Sequence, residues 1–449
     1  MTVRDDKLSL REPKATISTI WAIRGRGMTP KPSYRRTIVM GAAGNLLEWY
    51  DFAIYGYMVP IIGALFFPSD DPVATIIATF SAFAAGYFSR PLGAVVFGHL
   101  GDRYGRKLVL TWSVGLMGTA TFCIGLLPTF EQIGYYAAIL LVVLRLLQGM
   151  SVGGEYTGSI TFVMEHAKPN QRGIATSWLS VGGTVGFLVG SGVGTIMTLV
   201  FTADQLSDWA WRIPFLAGAI IAIFGYLIRR DATEPPGSEN LLTHEPPLML
   251  AVKHHWRSML QVMGMALAVN SGFYMMFVYA NSYLTEHKHV SASQAMELNT
   301  LNLFIMCLIS PLAGWLSDRL GRKPLLISGA LALVFLSWPL FWLMHYATGM
   351  TVFLGQLGFA VIIGWIWGIN PAAMAELAPR RVRVTTFSVA YSVCLAIFGG
   401  TTPVMAEYLL QRTGDDFSPV WYLIILATVS LITVLKIPET RPKPSSSPN

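Results

Sequence analysis

Long apolar runs separated by short polar stretches dominate this chain of 449 residues. About 20 apolar residues suffice to cross the hydrocarbon core of a bilayer as one helix. Turn and charge signals such as Pro128, Lys168-Pro169 and Pro379 separate most of the runs. The pattern therefore predicts twelve membrane-spanning helices, at roughly 37–66, 73–98, 108–127, 134–164, 173–202, 209–228, 258–284, 295–316, 325–345, 351–377, 384–410 and 419–437.

The composition supports an integral membrane protein and excludes a single water-soluble domain. Hydrophobic residues make up 53% of the chain and charged residues only 13%, whereas soluble domains carry about 25% charged residues. The three cysteines lie singly inside apolar runs, without pairing or metal-ligand spacing. We therefore expect an all-α membrane protein that holds no metal.

Lysine and arginine are distributed very unequally between alternate loops. With the N-terminus inside the cell, 27 of the 32 basic residues fall in inner segments, and only Lys288 and Arg412 fall in outer loops. By the positive-inside rule, this asymmetry predicts that both chain ends are cytoplasmic. The net charge of +7 is thus explained by topology, and no nucleic-acid partner is expected.

One charged segment occurs twice: Gly98-x-x-x-Asp102-Arg103-x-Gly105-Arg106-Lys107 recurs 216 residues later as Gly314-x-x-x-Asp318-Arg319-x-Gly321-Arg322-Lys323. Internal duplication of membrane helices is typical of transporters that alternate access to a central site. The duplication predicts two six-helix halves. The predicted organisation is a disordered basic segment (1–35), an N-terminal half (36–229), a linker (230–256), a C-terminal half (257–438) and a tail (439–449).

The duplicated segment suits a gate latch, because its glycines allow tight turns and close helix approach. Its aspartate is able to cap a helix N-terminus, and its arginines to pair with acids at neighbouring helix ends. The simpler alternative is that these charges only anchor loops, but their duplication favours the latch. The predicted gating residues are Asp102, Arg103, Arg106, Asp318, Arg319 and Arg322, with Glu165 and Glu376 as partners.

These two copies resemble the signature loop of the major facilitator superfamily, and Arg145-x-x-Gln148-Gly149 resembles its second motif. The resemblance covers about residues 36–440 and narrows to the metabolite:proton symporter family. It implies a lipid-embedded, bacterial inner-membrane protein that imports a metabolite with protons, needs no cofactor and works as a monomer. The family-like segments are Gly44-Asn45-x-x-Glu48-Trp49-Tyr50-Asp51-Phe52, Arg90-Pro91-Leu92-Gly93, Gly153-Gly154-Glu155-Tyr156-Thr157, Trp211-Arg212-Ile213-Pro214-Phe215 and Phe398-Gly399-Gly400.

Charged residues inside the predicted spans are the candidates for proton coupling. Each costs roughly 2.5–3.5 kcal/mol at a helix centre unless it is paired or hydrated. No histidine lies near mid-span, so we expect a carboxylate to carry the proton. The predicted coupling residues are Asp51, Glu48 and Glu155. The alternative is a permanent ion network of Glu48, Arg90, Arg145 and Glu155 that only joins helices one, two and four.

Substrate binding is predicted from one arginine and from uncharged groups of the C-terminal half. The guanidinium group of Arg90 is able to hold a carboxylate in bidentate fashion. The C-terminal half carries no charge at mid-span but offers aromatic faces, which attract ammonium groups. The predicted substrate-binding residues are Arg90, Arg145, Tyr55, Asn270, Tyr274, Trp365, Trp367 and Asn370.

Two substrate classes fit these residues: a zwitterion such as proline or betaine, and an organic acid. A di- or tricarboxylate would call for several cavity cations, and the fifth span supplies none. A proton-coupled exporter of the same fold would be expected to carry a Gly-Pro pair in the fifth span. Residues 173–202 contain no proline, so an exporter is disfavoured. No cluster of residues suggests an enzyme. A solute sensor that does not transport is a further alternative. We predict a symporter that imports a small carboxylate-bearing metabolite.

Overall fold

The computed structural model describes most of the two predicted halves. The described residues are 34–104, 106–220, 223, 227, 247–346, 349–379 and 382–442, without the side chains of 34–37, 40, 98–99, 101–111 and 247. Almost all of the predicted N-terminal segment, most of the linker and most of the tail therefore lie outside the described residues. The same holds for the side chains of three predicted gating residues, Asp102, Arg103 and Arg106.

Six spans form the N-terminal half, and the first, second and fourth of them each consist of two consecutive helices. The helices are Tyr34–Tyr57 and Val59–Phe66 (first span), Pro72–Phe88 and Arg90–Tyr104 (second), Arg106–Leu126 (third), Tyr135–Ser151 and Glu155–His166 (fourth), Arg172–Val200 (fifth) and Arg212–Leu216 in the described part of the sixth.

Six further spans form the C-terminal half, and the seventh and eleventh contain short π-helical turns. The helices are Pro247–Tyr274, Met275–Tyr279, Ala280–Ser282 and Tyr283–His287 (seventh span), Ala292–Leu320 (eighth), Arg322–His345 (ninth), Gly349–Leu377 (tenth), Arg383–Cys394, Leu395–Gly399 and Thr402–Thr413 (eleventh) and Ser418–Lys436 (twelfth).

This architecture confirms the predicted all-α membrane fold with twelve helices in two halves. Within the described residues, nine helices are long and apolar enough to cross a membrane, and the bent first span makes ten. The third span is represented by a shorter apolar stretch, Trp112–Leu126. The sixth is described continuously only to residue 220.

The first and fourth spans, which the hydrophobic pattern predicts as continuous, are each interrupted. The first bends by 65° between Tyr57 and Val59. Pro60 explains the bend, because proline has no backbone N–H and its ring crowds the preceding turn. The fourth is interrupted between Ser151 and Glu155, where two glycines follow Val152.

The π-helical turns of the seventh and eleventh spans leave backbone carbonyls that accept from side chains. The carbonyl of Met276 accepts a hydrogen bond of 2.9 Å from Gln356 Nε2 on the tenth span. The carbonyl of Phe398 accepts one of 3.1 Å from Ser271 Oγ on the seventh. Such turns recur at functional sites in helical proteins, and these two flank the middle of the molecule.

The seventh span occupies the centre of the protein. Of its membrane-crossing window 94% is buried, compared with 33% for the ninth span, which lies at the periphery. The Tyr274 hydroxyl of the seventh span donates a hydrogen bond of 2.8 Å to the Tyr87 hydroxyl of the second. The two halves therefore meet directly at mid-depth, where the predicted site residues lie.

Candidate functional site

A buried ion pair joins the first and second spans. Arg90 Nη2 lies 3.3 Å from Glu48 Oε1, and the two side chains are only 3% and 1% exposed. The same guanidinium group packs over the rings of Trp49, Phe52 and Tyr87, at 5.0, 4.6 and 4.8 Å from their centroids. The structure thus brings together Glu48 and Arg90, two charged residues that the sequence places inside predicted spans.

A second layer of buried polar groups is centred on Arg145. It lies about one helical turn beyond Glu48 along the first span. Arg145 Nη1 donates to Gln148 Oε1 at 2.9 Å, and Gln148 Nε2 donates to Thr121 Oγ1 at 2.7 Å. The guanidinium group of Arg145 also lies over Phe52 and Tyr55, at 4.8 and 4.4 Å from their centroids. Predicted substrate residues Arg145 and Tyr55 are therefore direct neighbours.

Asp51 lies in this second layer and is 1% exposed. Thr121 and Arg145 are its polar neighbours. Neither of its carboxyl oxygens has a hydrogen-bond partner among the described residues. Asp51 is thus a buried carboxyl group next to a buried arginine, and its predicted role in coupling stays a prediction.

Glu155 occupies a different environment. It is the first residue of the second helix of the fourth span, directly after Gly154, and its side chain is half-buried. The first turn of a helix favours an acidic side chain, because its N–H groups carry partial positive charge. Its predicted part in proton coupling is untested.

A small cavity lies between the halves at mid-depth, with room for about one water molecule. One lining residue comes from the N-terminal half and the others from the seventh, tenth and eleventh spans. The lining consists of Tyr156, Val269, Asn270, Trp367, Asn370, Pro371, Met374 and Tyr391. Three predicted binding residues, Asn270, Trp367 and Asn370, therefore face one space.

Polar atoms of this cavity are available to a ligand. The Tyr391 hydroxyl donates to Asn270 Oδ1 at 3.3 Å, and Asn370 Nδ2 donates to the Met265 carbonyl at 2.9 Å. Asn270 Nδ2, Asn370 Oδ1 and Trp367 Nε1 are buried and have no partner among the described residues. Unpaired buried polar atoms cost free energy, so a ligand that pairs with these two donors and one acceptor would gain affinity.

The other five predicted binding residues lie outside the cavity lining: Arg90, Arg145 and Tyr55 in the two charged layers, and Trp365 and Tyr274 in the C-terminal half. The indole Nε1 of Trp365 donates to the Leu325 carbonyl at 3.0 Å, so this side chain faces the ninth span. Tyr274 is buried in the contact with Tyr87 that joins the two halves. The structure therefore separates Trp365 from Trp367, whose ring stacks on Phe273 at 5.1 Å.

The halves are closed at the face where the first span begins and the twelfth ends, here named the terminal face. Both carboxylate oxygens of Asp318 accept hydrogen bonds from the first turn of the fifth span, from Gly173 N at 2.8 Å and Ile174 N at 2.9 Å. A Cβ atom on Gly173 would lie 2.4 Å from the Gly314 carbonyl oxygen, so only glycine permits this approach. Asp318 thus caps a helix of the other half.

Ion pairs cross between the halves in both directions at the terminal face. Arg383 Nη1 lies 3.2 Å from Glu165 Oε1, and Arg172 Nη1 lies 3.9 Å from Glu376 Oε1. Arg322 forms two ion pairs: its Nη2 lies 2.8 Å from Asp318 Oδ1, and its Nε lies 3.5 Å from Glu376 Oε2. Four predicted gating residues, Asp318, Arg322, Glu165 and Glu376, therefore meet in one closure.

Arg319 is the exception among the described gating residues. Its guanidinium group lies 3.9 Å from the centroid of Trp315, one turn earlier on the same helix. This contact explains its position without any partner in the other half. The predicted role of Arg319 in the latch is therefore not supported by an inter-half contact in the described part of the chain.

The opposite face is also closed, but by uncharged groups. Ser191 Oγ of the fifth span lies 2.7 Å from Thr300 Oγ1 of the eighth, and Asn299 Nδ2 donates to Ser191 Oγ at 3.0 Å. The Phe80 and Tyr279 rings, from the second and seventh spans, meet with centroids 6.2 Å apart. With both faces closed, the structure represents an occluded arrangement.

Several residues of the site were not predicted. Phe52, Gln148 and Tyr156 lie within segments whose family resemblance was recognised, which is the signal that could have identified them. Tyr391 carries no such signal, because it is one tyrosine in an apolar stretch. Its place in the cavity becomes visible only when the eleventh span packs against the seventh.

Comparison with known proteins decides the family. The sequence profile of the Major Facilitator Superfamily matches residues 41–403 and 263–449. The chain belongs to the major facilitator superfamily. As a member of this superfamily it is a multi-pass membrane transporter, and the resemblance found in its motifs is confirmed.

Curated relatives within the superfamily cover most of the chain. The glycine betaine/proline/ectoine/pipecolic acid transporter OusA of Dickeya dadantii is 35% identical over 423 residues, which is 91% of this chain and 84% of that protein. The proline/betaine transporter of Escherichia coli K12 is 34% identical over 424 residues, with the same coverage. The ectoine/proline transporter ProP of Corynebacterium glutamicum is 33% identical over 460 residues, covering 98% and 90%.

Solved structures support the superfamily fold. The proton:xylose symporter XylE bound to 6-bromo-6-deoxy-D-glucose matches with a TM-score of 0.73 and 19% identity, over 91% of this chain and 96% of that one. A partially occluded, inward-open form of the Escherichia coli xylose transporter XylE matches with a TM-score of 0.70 and 18% identity, covering 92% and 100%. At this level of identity the likeness concerns the fold alone.

Proposed function

We propose that this transporter imports a small zwitterion of the proline or betaine type together with protons, by alternating access. The observation that carries the proposal is the central cavity, which combines aromatic faces with unpaired hydrogen-bond donors. Asn270 Nδ2 and Trp367 Nε1 suit a carboxylate, and the rings of Tyr156, Trp367 and Tyr391 suit an ammonium group. The names of the curated relatives support this choice over an organic acid.

Arg90 provides the charge that attracts the substrate carboxylate. Its guanidinium group packs on Trp49 at 5.0 Å, Trp49 meets Tyr156 at 6.0 Å, and Tyr156 lines the cavity. In a conformation whose cavity is wide enough to hold the substrate, the substrate carboxylate would compete with Glu48 for this arginine.

Protonation of Asp51 is the proposed coupling step. With Asp51 ionised, the two buried arginines are balanced by two carboxylates, Glu48 and Asp51. When Asp51 takes up a proton, the buried core carries one unbalanced positive charge. A substrate carboxylate would then bind more favourably, since buried charges are stable only when paired. Proton binding and substrate binding thus favour each other.

Reorientation would proceed by opening one closure at a time. Because a ligand shifts a conformational equilibrium only by its differential affinity for the two states, the loaded and empty cavities must differ in their preference for the occluded form. We assign the terminal face to the cytoplasm of a bacterial inner membrane, as the distribution of basic residues indicates. The proton gradient then drives uptake by the monomer without a cofactor.

Ligand-induced thermal stabilisation of the detergent-purified protein tests the substrate class. The panel contains proline, glycine betaine, and mono-, di- and tricarboxylates. Saturation to about 100 times the Kd stabilises the folded state by about 2.7 kcal/mol, so a binding ligand raises the melting temperature measurably. We expect proline or betaine to do so. Stabilisation by a carboxylate alone would replace the zwitterion with an organic acid.

Asp51→Asn tests the proton-coupling step in proteoliposomes. Asparagine cannot exchange a proton, so gradient-driven accumulation should fall to background while counterflow exchange of substrate continues. Asp204→Asn, in an exposed turn after the fifth span, is the matched control and should accumulate substrate like the unmodified protein. Full accumulation by Asp51→Asn would remove Asp51 from the mechanism.

A further inference from the structure

We propose that Phe52 is a positioning residue that links the proton-binding layer to the substrate-binding layer of the buried charged core. The inference rests on the proposed function and deepens it. It assigns Phe52 a role that neither Arg90 nor Arg145 could fill alone, because the two arginines belong to different layers.

The ring of Phe52 contacts both buried arginines. The Cζ atom of Arg90 lies 4.6 Å from its centroid and that of Arg145 lies 4.8 Å away. Trp49 and Tyr87 contact Arg90, whereas Tyr55 and Phe83 contact Arg145. Among the described residues, Phe52 is the one ring that makes a cation–π contact with both guanidinium groups.

The ring has little freedom to move independently of these arginines. Phe52 is fully buried, and its centroid lies 4.6 Å from that of Tyr87. A Cβ atom built on Gly86 would lie 3.3 Å from Phe52 Cε1 and 3.2 Å from Arg145 Nη2. The Phe52 ring, the Arg145 guanidinium group and the second span are therefore packed as one unit.

Electrostatics explains why a ring is needed between the layers. Two like charges in a medium of low dielectric constant repel each other strongly, whereas the face of an aromatic ring attracts a cation. When Asp51 becomes charged, it attracts Arg145 and changes the contact of this arginine with Phe52. The ring then shifts against Arg90, which alters the balance of Arg90 between Glu48 and the substrate.

Removal of the ring should uncouple the two layers while leaving each layer intact. Phe52→Leu keeps an apolar side chain but has no π face. We expect counterflow exchange to remain within about threefold of the unmodified protein, whereas proton-driven accumulation should fall by about tenfold, the effect of losing about 1.4 kcal/mol. Proton leak without substrate should rise.

Two further variants isolate the role of the π face. Phe52→Tyr retains the face and should restore most of the accumulation. Phe66→Leu is the matched control, because Phe66 is equally buried on the same span and packs on Trp211 at 5.5 Å. It should reduce accumulation and counterflow by similar, small factors. Phe52→Met repeats the test with an unbranched side chain, if leucine prevents folding.

The outcomes separate this inference from the proposed function. Normal accumulation by Phe52→Leu, or equal losses of accumulation and counterflow, would overturn the role of Phe52 while coupling in the unmodified protein stands. Absence of proton-driven accumulation in the unmodified protein would instead overturn the proposed function. Loss of accumulation with preserved counterflow in Phe52→Leu, rescued by Phe52→Tyr, would establish the inference.

Discussion

The two halves bury different kinds of polar group at mid-depth. The N-terminal half buries Glu48, Asp51, Arg90 and Arg145, whereas the cavity side of the C-terminal half contributes only neutral groups, such as Asn270 and others on the tenth and eleventh spans. Buried charges are strongly coupled to their partners, while a lost neutral hydrogen bond costs only about 1 kcal/mol. The N-terminal half therefore provides the buried charges, and the C-terminal half provides uncharged groups for substrate binding.

The largest effect is expected from breaking the ion pair of the N-terminal half. Glu48→Gln leaves Arg90 buried and charged without its partner, which should destabilise the protein by about 3–5 kcal/mol. The measurement is thermal unfolding of the detergent-purified protein. Arg90→Met on the same background should recover most of the stability but not transport. If the double variant both folds and transports, the pair is only structural.

A smaller effect is expected from the aromatic side of the cavity. Trp367→Leu removes one face available to an ammonium group and should weaken zwitterion binding by about 1–2 kcal/mol, a 5- to 30-fold rise in Kd. Titration calorimetry would measure it. Trp365→Leu is the matched control on the same span, because its indole bonds the ninth span. Equal weakening by both variants would contradict the division between these tryptophans.

The smallest effect is expected from a single neutral hydrogen bond. Tyr391→Phe removes the hydroxyl that donates to Asn270 Oδ1 and should change Kd by about two- to tenfold, since such bonds contribute about 0.5–1.5 kcal/mol. Tyr408→Phe, on the same span but 49% exposed, should leave Kd unchanged. If Tyr391→Phe changed the free energy of binding as much as Glu48→Gln changes the free energy of unfolding, the contrast between the halves would be contradicted.

The sequence predicted the fold well because the length of apolar runs is a direct physical requirement of a bilayer. It also showed Glu48 and Arg90 as charges inside apolar runs, and the structure pairs their side chains. It did not predict the bend at Met58 or the π-helical turns, because these depend on local backbone partners such as Gln356 Nε2.

Orientation around a helix axis was the weaker part of the site prediction. Residues two apart on an α-helix point about 200° apart, so Trp365 and Trp367 could not both face the cavity. Partner choice was also undetermined, because the sequence alone does not show which arginine lies next to Glu165 or Glu376. The structure pairs Glu165 with Arg383 and Glu376 with Arg172, across the boundary between halves.

The charge balance of the buried core has an electrical consequence. With Asp51 protonated, the core holds Arg90 and Arg145 against Glu48 alone, and a bound zwitterion leaves this single positive charge unchanged. A membrane potential of 100 mV acts on one elementary charge with about 2.3 kcal/mol. Inward movement of the loaded core would then be accelerated by an interior-negative potential, whereas a bound monocarboxylate would cancel the charge and make the same step electrically silent.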